Sequence, residues 1–584
     1  MINRYFLIIL AAQLISISGQ AQMEMAPRDS LVVTALQDEM ERNMSQLQEE
    51  GYNRPFFIAY TMADVDMQYA IATLGAIVSA EEMQERNWFT RLIVGDYAIN
   101  DENFNNSFGQ ITYPSNYEPL PIDTDYWGIR RAFWLATNNV YKSAARKYKQ
   151  KMKTINEYEM DYTLPDFSRE NAVKYYQPAP GSNTDIAELK SRARSLSKYF
   201  TDQKNIVHSG VFATQTNVQS YFVNTEGTAV VKPHNYSTIA VTAQCLAGDD
   251  VPVRSQIQYI GRFLHDLPDD DQIETDISVL LNDMRNKLDA EPLKEQYIGP
   301  VLIEGPAVAS FFMKAIFHNR SGGILSNRPV LSNENENDIK KYIENLEEAR
   351  NPESSGMIAA DFITISAIPR LVSFEGKTLY GQFEVDSEGV MPNDTLDLIK
   401  NGEVVSHLNG RTPSPTELQS NGYNRLVVGA SNLNKQLLPG NLLVSVGETA
   451  TKEDLKNQMI DLLKEEQLNY GIHVSSLPVS ADKRPNTFFK IDANTGEETP
   501  VLISGMHGNQ RNNKILREVI AATDEYKVYN FLVNGSSGFS MNGMATDGTM
   551  VSLIVPSAIL LESYYFSSFD PDNSPFEMVI PLPE

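Results

Sequence analysis

Apolar residues in "LVVTALQDEMERNMSQLQEEG" recur every three or four positions. Val32, Leu36, Met40, Met44 and Leu47 share one face of an amphipathic helix that Gly51 ends. The pattern then changes. "PFFIAYTMADVDMQYAIATLGAIVS" and "RLIVGDYAI" alternate or run apolar between turn residues and predict strands. "YWGIRRAFWLATNNVYKSAARKYKQKMKTINEY" predicts a long helix, and strands resume over "VHSGVFATQTNVQSYFVNTEGTAVVKPHNYSTIAVTAQCLAG" with a turn at 224–227. An acidic-capped helix, "DDDQIETDISVLLNDMRNKLDAEP", ends at Pro292 and suits a connector between two halves.

The second half opens on the strand "YIGPVLIEG" and the helix "PAVASFFMKAIFHN". A polar loop and the helix "ENDIKKYIENLEEAR" follow, and the remainder reads as mostly β with helices at "TKEDLKNQMIDLLKEEQ" and "NNKILREVIAATDEY". Asn401–Gly402, between two apolar runs, is the signature of a type I′ hairpin turn. No short-period repeat and no low-complexity tract interrupts the chain.

Charge narrows the partners. The 584 residues carry 49 Lys and Arg against 75 Asp and Glu, a net charge of −26. Such a field repels phosphate backbones and anionic membranes, so no nucleic-acid partner is expected. Lys142, Arg146, Lys149 and Lys153 form a basic stripe on the long helix, with Lys147 and Lys151 beside it. In so acidic a chain the stripe reads as a solvated helix face rather than a polyanion patch.

The first residues, "MINRYFLIILAAQLISISGQAQ", have the layout of a signal peptide, with Gly19 and Ala21 at the small-residue positions before a cleavage site. The expectation is export to a periplasmic or secreted location, with no membrane-spanning segment. Cys245, at the end of an apolar run, is the one cysteine and reads as a buried strand-end thiol.

Several motifs fail on spacing. "EGKT" at 375–378 mimics the end of a phosphate loop, but the first glycine of that pattern falls on Leu371. "GSSGFS" at 535–540 is not a nucleophile elbow. His208, His234, His265, His318, His407, His473 and His507 include no pair three or four apart, and no H-E-x-x-H is present.

A resemblance emerges from longer stretches. "LVVTALQDEMERNMSQLQEEGYNRPFFIAYTMADVD", "VGDYAINDENF", "RRAFWLATNNVYKSA", "FVNTEGT", "GPVLIEGPAVASFF", "DSEGV", "LIKNGEVVSHLNGRTPS", "SNGYNR", "ASNL" and "YNFLVNGSSGFSMNGMATDGTMVSLIVPSAILLE" together resemble exported TldD/PmbA-type proteins. That peptidase family was historically named for modulation of DNA gyrase. The resemblance runs collinearly over nearly the whole chain. It implies an α+β, two-domain TldD/PmbA-type architecture: signal peptide 1–21, N-terminal α+β domain 22–265, helical connector 266–297 and a mostly β, metallopeptidase-like C-terminal domain 298–584.

Active members of that family resemble one another in an H-E-x-x-x-H helix and a distant cysteine ahead of a D-G turn. The two histidines and the cysteine would bind zinc and the glutamate would act as general base. Histidines five apart stand ~140° apart on a regular helix and converge only where it distorts, which suits a glycine before the second one. Carried onto this chain, the first histidine falls on Met313, the glutamate on Lys314, the glycine on Phe317, the second histidine on His318 and the cysteine on Met544. A thioether is a poor zinc ligand and an ammonium repels the ion. The resemblance therefore implies a degenerate site with no resident cofactor, His318 being the one remaining metal-ligand type.

Three functions follow as expectations. The first is the non-catalytic subunit of a heteromeric zinc peptidase, partnered by a TldD-like catalytic subunit or by itself, that receives unfolded peptide as an added strand. The second is an active metallopeptidase with a rearranged site, to which His473 or His507 contributes. The third is a non-proteolytic peptide-binding scaffold of the cell envelope.

Overall fold

The computed structural model describes residues 24–105, 120–181, 185–247, 251–288, 290–317, 324–333, 336–350, 357–430, 433–447, 449–476, 486–503, 515–533 and 547–569. The amphipathic pattern at the start forms α1 (Pro27–Gln46). Strands β1 (Pro55–Thr73) and β2 (Ala76–Val94) then run antiparallel over nearly their whole length. Their tight turn puts both Leu74 and Gly75 at positive φ, 49° and 79°. The polar stretch "AEEMQERNWF", which carries no strand signal of its own, is drawn into β2 by this pairing. Helices α2 (Tyr126–Glu157) and α3 (Ile186–Ser197) follow the hairpin, and Asp125 and Asp185 cap them by accepting from Gly128 N and Ala187 N.

Five more strands complete the first sheet: β3 (Lys174–Tyr176), β4 (Ile206–Asn224), β5 (Ala229–Pro233), β6 (Tyr236–Ala247) and β7 (Val251–Gly261). The order is β2-β1-β4-β5-β3, with β6 also on β4 and β7 on β6. Side chains alternate across the long strands. Ile58, Tyr60 and Met62 join Val32, Leu36, Trp88 and Phe133 beneath α1 and α2, and Ala70 and Ala72 join Leu189 and Ala193 of α3. The odd-numbered Phe57, Ala63 and Val65 face the other way, onto Val385, Leu426, Val428 and Leu433 of the C-terminal half. One sheet thus has helices on one face and the rest of the protein on the other. Cys245 is fully buried, and burial pushes its thiol up to about 11.

Helix α4 (Asp270–Leu288) lies at the joint. Ile273, Ile277, Leu280 and Met284 pack into the core of the first sheet. At its last turn Asp283 accepts from Ser255 of β7 and from Thr487 of the C-terminal half, and it pairs with Lys287 at 2.8 Å.

The C-terminal half holds β8 (Tyr297–Glu304), α5 (Pro306–Phe317), α6 (Glu336–Arg350), β9 (Ile363–Ala367), β10 (Leu396–Lys400), β11 (Asn424–Gly429), β12 (Leu433–Leu437) and β13 (Asn441–Val446). It continues with α7 (Lys452–Glu465), β14 (Tyr470–Ser476), β15 (Asn486–Asp492), β16 (Glu498–Leu502), β17 (Val519–Ala522), β18 (Tyr526–Val533), β19 (Asp547–Pro556) and β20 (Ala558–Phe566). One sheet runs β17-β20-β8-β14-β15-β16; the other runs β10-β9-β13-β19-β11-β12, with β18 on β19. Their inner faces share one large core. Asn401 and Gly402, at φ 50° and 80°, turn the expected hairpin.

The segment 512–526 corrects a sequence expectation. Where its apolar spacing suggests a helix, the described part forms β17, an antiparallel partner of β20. β-Branched Val519 and Ile520 fit the pleat, and pairing with the apolar Ile559, Leu560 and Leu561 overrides the local period. The fold is α+β, and among the described residues no helix is long and apolar enough to cross a membrane.

Candidate functional site

The motif helix α5 follows directly on β8, with Pro306 in its first turn. It lies between the two C-terminal sheets, against β8 and β14 on one side and β19 on the other. A helix in that position has no polar face to spare, which explains the run "PAVASFFMKAIF". Met313 is 1% exposed and packs with Phe312 and Ile316 in the large core. Lys314 is half-buried and makes a contact of its own. His318 and Met544 lie outside the described residues, as does His507. The D-G pair stands where β19 begins, with Gly429 opposite Asp547 and Val428 opposite Gly548. A Cβ on Gly548 would come within 2.5 Å of Leu532, so the close approach of β18 requires glycine there. The sheet bearing Asp547 and Gly548 therefore packs on the helix bearing Met313. Among the described residues no group of three His, Cys, Asp or Glu side chains is placed to hold a metal ion.

Elsewhere in the C-terminal half an open cleft of about 420 Å³ is lined by Met357, Ala359, Ala360, Asp361 and Arg517. Its floor is apolar with one acid and one base at the rim. The backbone of 358–360 is already engaged, by Gly402 O and Leu516 O.

His473 occupies the opposite face of the β8–β14 pair, beneath α7. Its ring bridges two carboxylates: Nε2 lies 2.7 Å from Glu304 and Nδ1 lies 3.0 Å from Glu498. Lys452 and Lys456 of α7 pair with the same two acids at 3.2 and 2.7 Å. Burial alone would lower the imidazole, but the two carboxylates outweigh it and raise His473 to about 9. The bond to His473, offset in part by burial, brings Glu304 and Glu498 down to about 2. A histidine kept protonated between two acids is neither a metal ligand nor a general base at neutral pH. It fastens α7 to the sheet. The raised histidine stabilises the fold fully below its ordinary 6.5 and loses that contribution as pH climbs through about 9. The lowered acids contribute above their ordinary 4.5 and lose it as pH falls through about 2. His473→Gln is expected to abolish most of the stability decline between about pH 6.5 and 9.5, on the order of 1–2 kcal/mol, as read by urea unfolding across that range.

The quoted motifs of the resemblance meet at the joint between the halves. Glu226 of "FVNTEGT" takes a two-pronged contact from Arg411 of "LNGRTPS", at 2.5 and 2.8 Å. Arg411 is 2% exposed, stacks 4.0 Å above Phe167 and also donates to Ser168 O. Gly389 of "DSEGV", at φ 86°, lets Thr228 approach so closely that a Cβ would stand 2.4 Å from its methyl. In the same motif Asp386 accepts from the N–H groups of Glu388, Val390 and Asn424. Lys232 from β5 crosses over to donate to Val385 O and Asp386 O. Burial, aided by Arg425, lowers Lys232; burial, aided by Glu388, raises Asp386. Glu388 receives Arg91 at 2.8 Å and Lys435 at 3.4 Å. Although burial opposes it, these cations bring Glu388 down to about 2.

A second bridge continues from α5. Arg328, beyond the helix in sequence, donates to Asp166 at 2.7 Å and to Pro413 O at 2.7 Å. Asp166, fully buried, also accepts from Lys151 at 2.5 Å, Tyr162 at 2.7 Å and Asn100 N at 2.9 Å. Lys151 thus leaves the basic group of α2 for the interior, a placement its position beside the stripe gave no sign of. Leu331 pairs in parallel with Phe104, and Tyr342 of α6 stacks on Tyr162 at 6.2 Å. The segment after the motif helix is therefore a clamp onto the N-terminal half. Sequence reading missed this joint; the signal was present as invested charge in motifs that carry no catalytic pattern.

No protein-family model matches the chain, and no curated protein sequence does. Solved structures match it in fold. A protein assigned as a modulator of a DNA gyrase from Thermotoga maritima aligns with TM-score 0.52 and 12% identity over 91% of this chain and 100% of its own. Another so assigned, from Bacteroides thetaiotaomicron, gives TM-score 0.54 and 10% identity over 94% and 100%. TldE from Thermococcus kodakarensis gives 0.51 and 14% over 91% and 100%. The chain shares the fold of these proteins over 91–94% of its length.

Proposed function

We propose that this chain is an exported TldD/PmbA-type protein that serves as the non-catalytic subunit of a heteromeric zinc peptidase and helps to enclose its peptide substrate. The observation that carries the reading is Met313, the counterpart of the first metal-binding histidine, 1% exposed and packed among Phe312 and Ile316. Its thioether serves as core filling, and the neighbouring Lys314 replaces the general base with a cation. The fold shared with TldE supports a paired role. The open cleft of the C-terminal half, apolar at Ala359 and Ala360 with Asp361 and Arg517 beside them, supports contact with a chain of mixed sequence. The gyrase label of the structural neighbours carries no DNA-binding role to a protein of net charge −26.

The purified chain is expected to hold less than one-tenth equivalent of zinc and to hydrolyse unfolded peptide only when mixed with an exported relative whose H-E-x-x-x-H is intact. Co-purification with such a chain is the direct test. Stoichiometric zinc that disappears in His318→Ala, together with hydrolysis by the chain alone, would establish the rearranged-peptidase reading instead.

A further inference from the structure

The outward face of α2 carries one uninterrupted line of residues. Trp127, Arg131, Trp134, Asn138, Lys142, Arg146, Lys149 and Lys153 succeed one another at steps of three or four, the spacing of a single helix face. At ~1.5 Å per residue the line runs ~39 Å. No acidic residue interrupts it, in a chain of net charge −26. Two of the three tryptophans stand on it, 69% and 45% exposed, while the third, Trp88, is buried in the core. Ile122, 53% exposed, lies just ahead of the helix at the tryptophan end. Arg130 lies 5.3 Å from the Trp127 ring and Arg42 lies 6.0 Å from that of Trp134, which adds two cations beside the aromatic end. Several nearby acids are held: Glu39 by Arg42 and Arg130, Asp38 by Tyr126, Asp125 as the helix cap, and Glu157 by Lys153. Two stripe cations have partners in their own fold: Lys149 lies over Tyr52 and Lys153 pairs with Glu157.

We infer that this face is a docking surface for an anionic lipid bilayer, which the protein binds from one side without entering the hydrocarbon core. Three observations select that occupant. The charge sign requires an anion. The face is the outer side of one helix, with its cations in a line, whereas single strands are held in grooves where cations converge. Exposed tryptophans flanked by lysine and arginine are the residues that settle at the headgroup level of a membrane. The overall negative charge does not forbid contact, because beyond a Debye length of ~8–10 Å the remaining acids are screened while the stripe touches the headgroups directly.

The test uses the mature chain and vesicles of phosphatidylcholine with or without phosphatidylglycerol, at about 0.05 M and about 0.5 M salt. Co-sedimentation with phosphatidylglycerol vesicles is expected at low salt, with a blue shift of tryptophan emission. Neutral vesicles and high salt should abolish both. Arg131→Gln/Lys142→Gln/Arg146→Gln should weaken binding by about tenfold or more, since each cation near an anionic surface contributes to it. Trp127→Phe/Trp134→Phe should remove the emission shift while Trp88 reports an intact core. Absence of sedimentation with anionic vesicles overturns the inference, as does undiminished binding by the triple variant. Retention on heparin or single-stranded DNA without any vesicle binding also overturns it, in favour of a soluble polyanion.

Discussion

Asp166→Asn is expected to lower the free energy of unfolding by about 3–5 kcal/mol, because it leaves two buried cations without their counter-charge. The carboxylate has no exposure and neither has Lys151, while Arg328 is 5% exposed at the side chain. Burial already pushes Lys151 down to about 8, and Asp166 is the charge that offsets this most. Asparagine keeps the volume but supplies one acceptor where five donors from Lys151, Arg328, Tyr162, Asn100 and Asn103 converge. A urea midpoint shifted by less than the equivalent of about 1 kcal/mol would show that these groups find other partners. Lys151→Met combined with Asp166→Leu is expected to cost less than the sum of the single changes, since it removes one buried cation along with its counter-charge and leaves only Arg328 to its carbonyl partners. The bridge spans the two halves, so the single variant should also loosen the segment that follows α5.

Glu388→Gln is the second large effect, expected at about 3 kcal/mol. Glu388 is 4% exposed and faces Arg91 and Lys435, themselves 14% and 11% exposed at the side chain. Arg91 keeps Glu102 at 2.7 Å, while Lys435 keeps the faces of Phe222 and Phe89, at 4.2 and 5.6 Å, and the charge of Asp386. Because Glu388 is lowered to about 2, its contribution is complete above the ordinary 4.5 and fades as pH falls through about 2. The difference between wild type and variant should therefore be full at pH 7 and shrink in acid. Equilibrium unfolding at pH 7 and near pH 2.5 checks both magnitude and sign; a difference that grows in acid would contradict the assignment.

The elements that stood out in the sequence are those whose pattern is decided locally. α1, α2, α6 and α7 fall where apolar spacing and caps predict them, and Asn401–Gly402 turns the hairpin its two residues require. The segment 512–526 misled because a short apolar run fits either period until a partner strand decides it. The exposed middle of β2 was silent for the converse reason: Glu81, Glu82 and Glu85 guard a sheet edge and carry no strand propensity. The candidate site divides the same way. That Met313 and Lys314 stand on a helix was readable; that the helix is sealed between two sheets was not.

By itself the sequence determined most of the order of helices and strands, the acidic charge and the basic stripe along α2. These follow from composition and spacing within one segment. Only the tertiary structure decided that Lys151 leaves that helix for a buried acid, that His473 is locked between Glu304 and Glu498, and that Glu226, Asp386, Glu388 and Arg411 hold the two halves together. A charged side chain looks the same in any sequence. Its role depends on whether folding removes its water and on which counter-charge, from a segment far along the chain, takes the water's place.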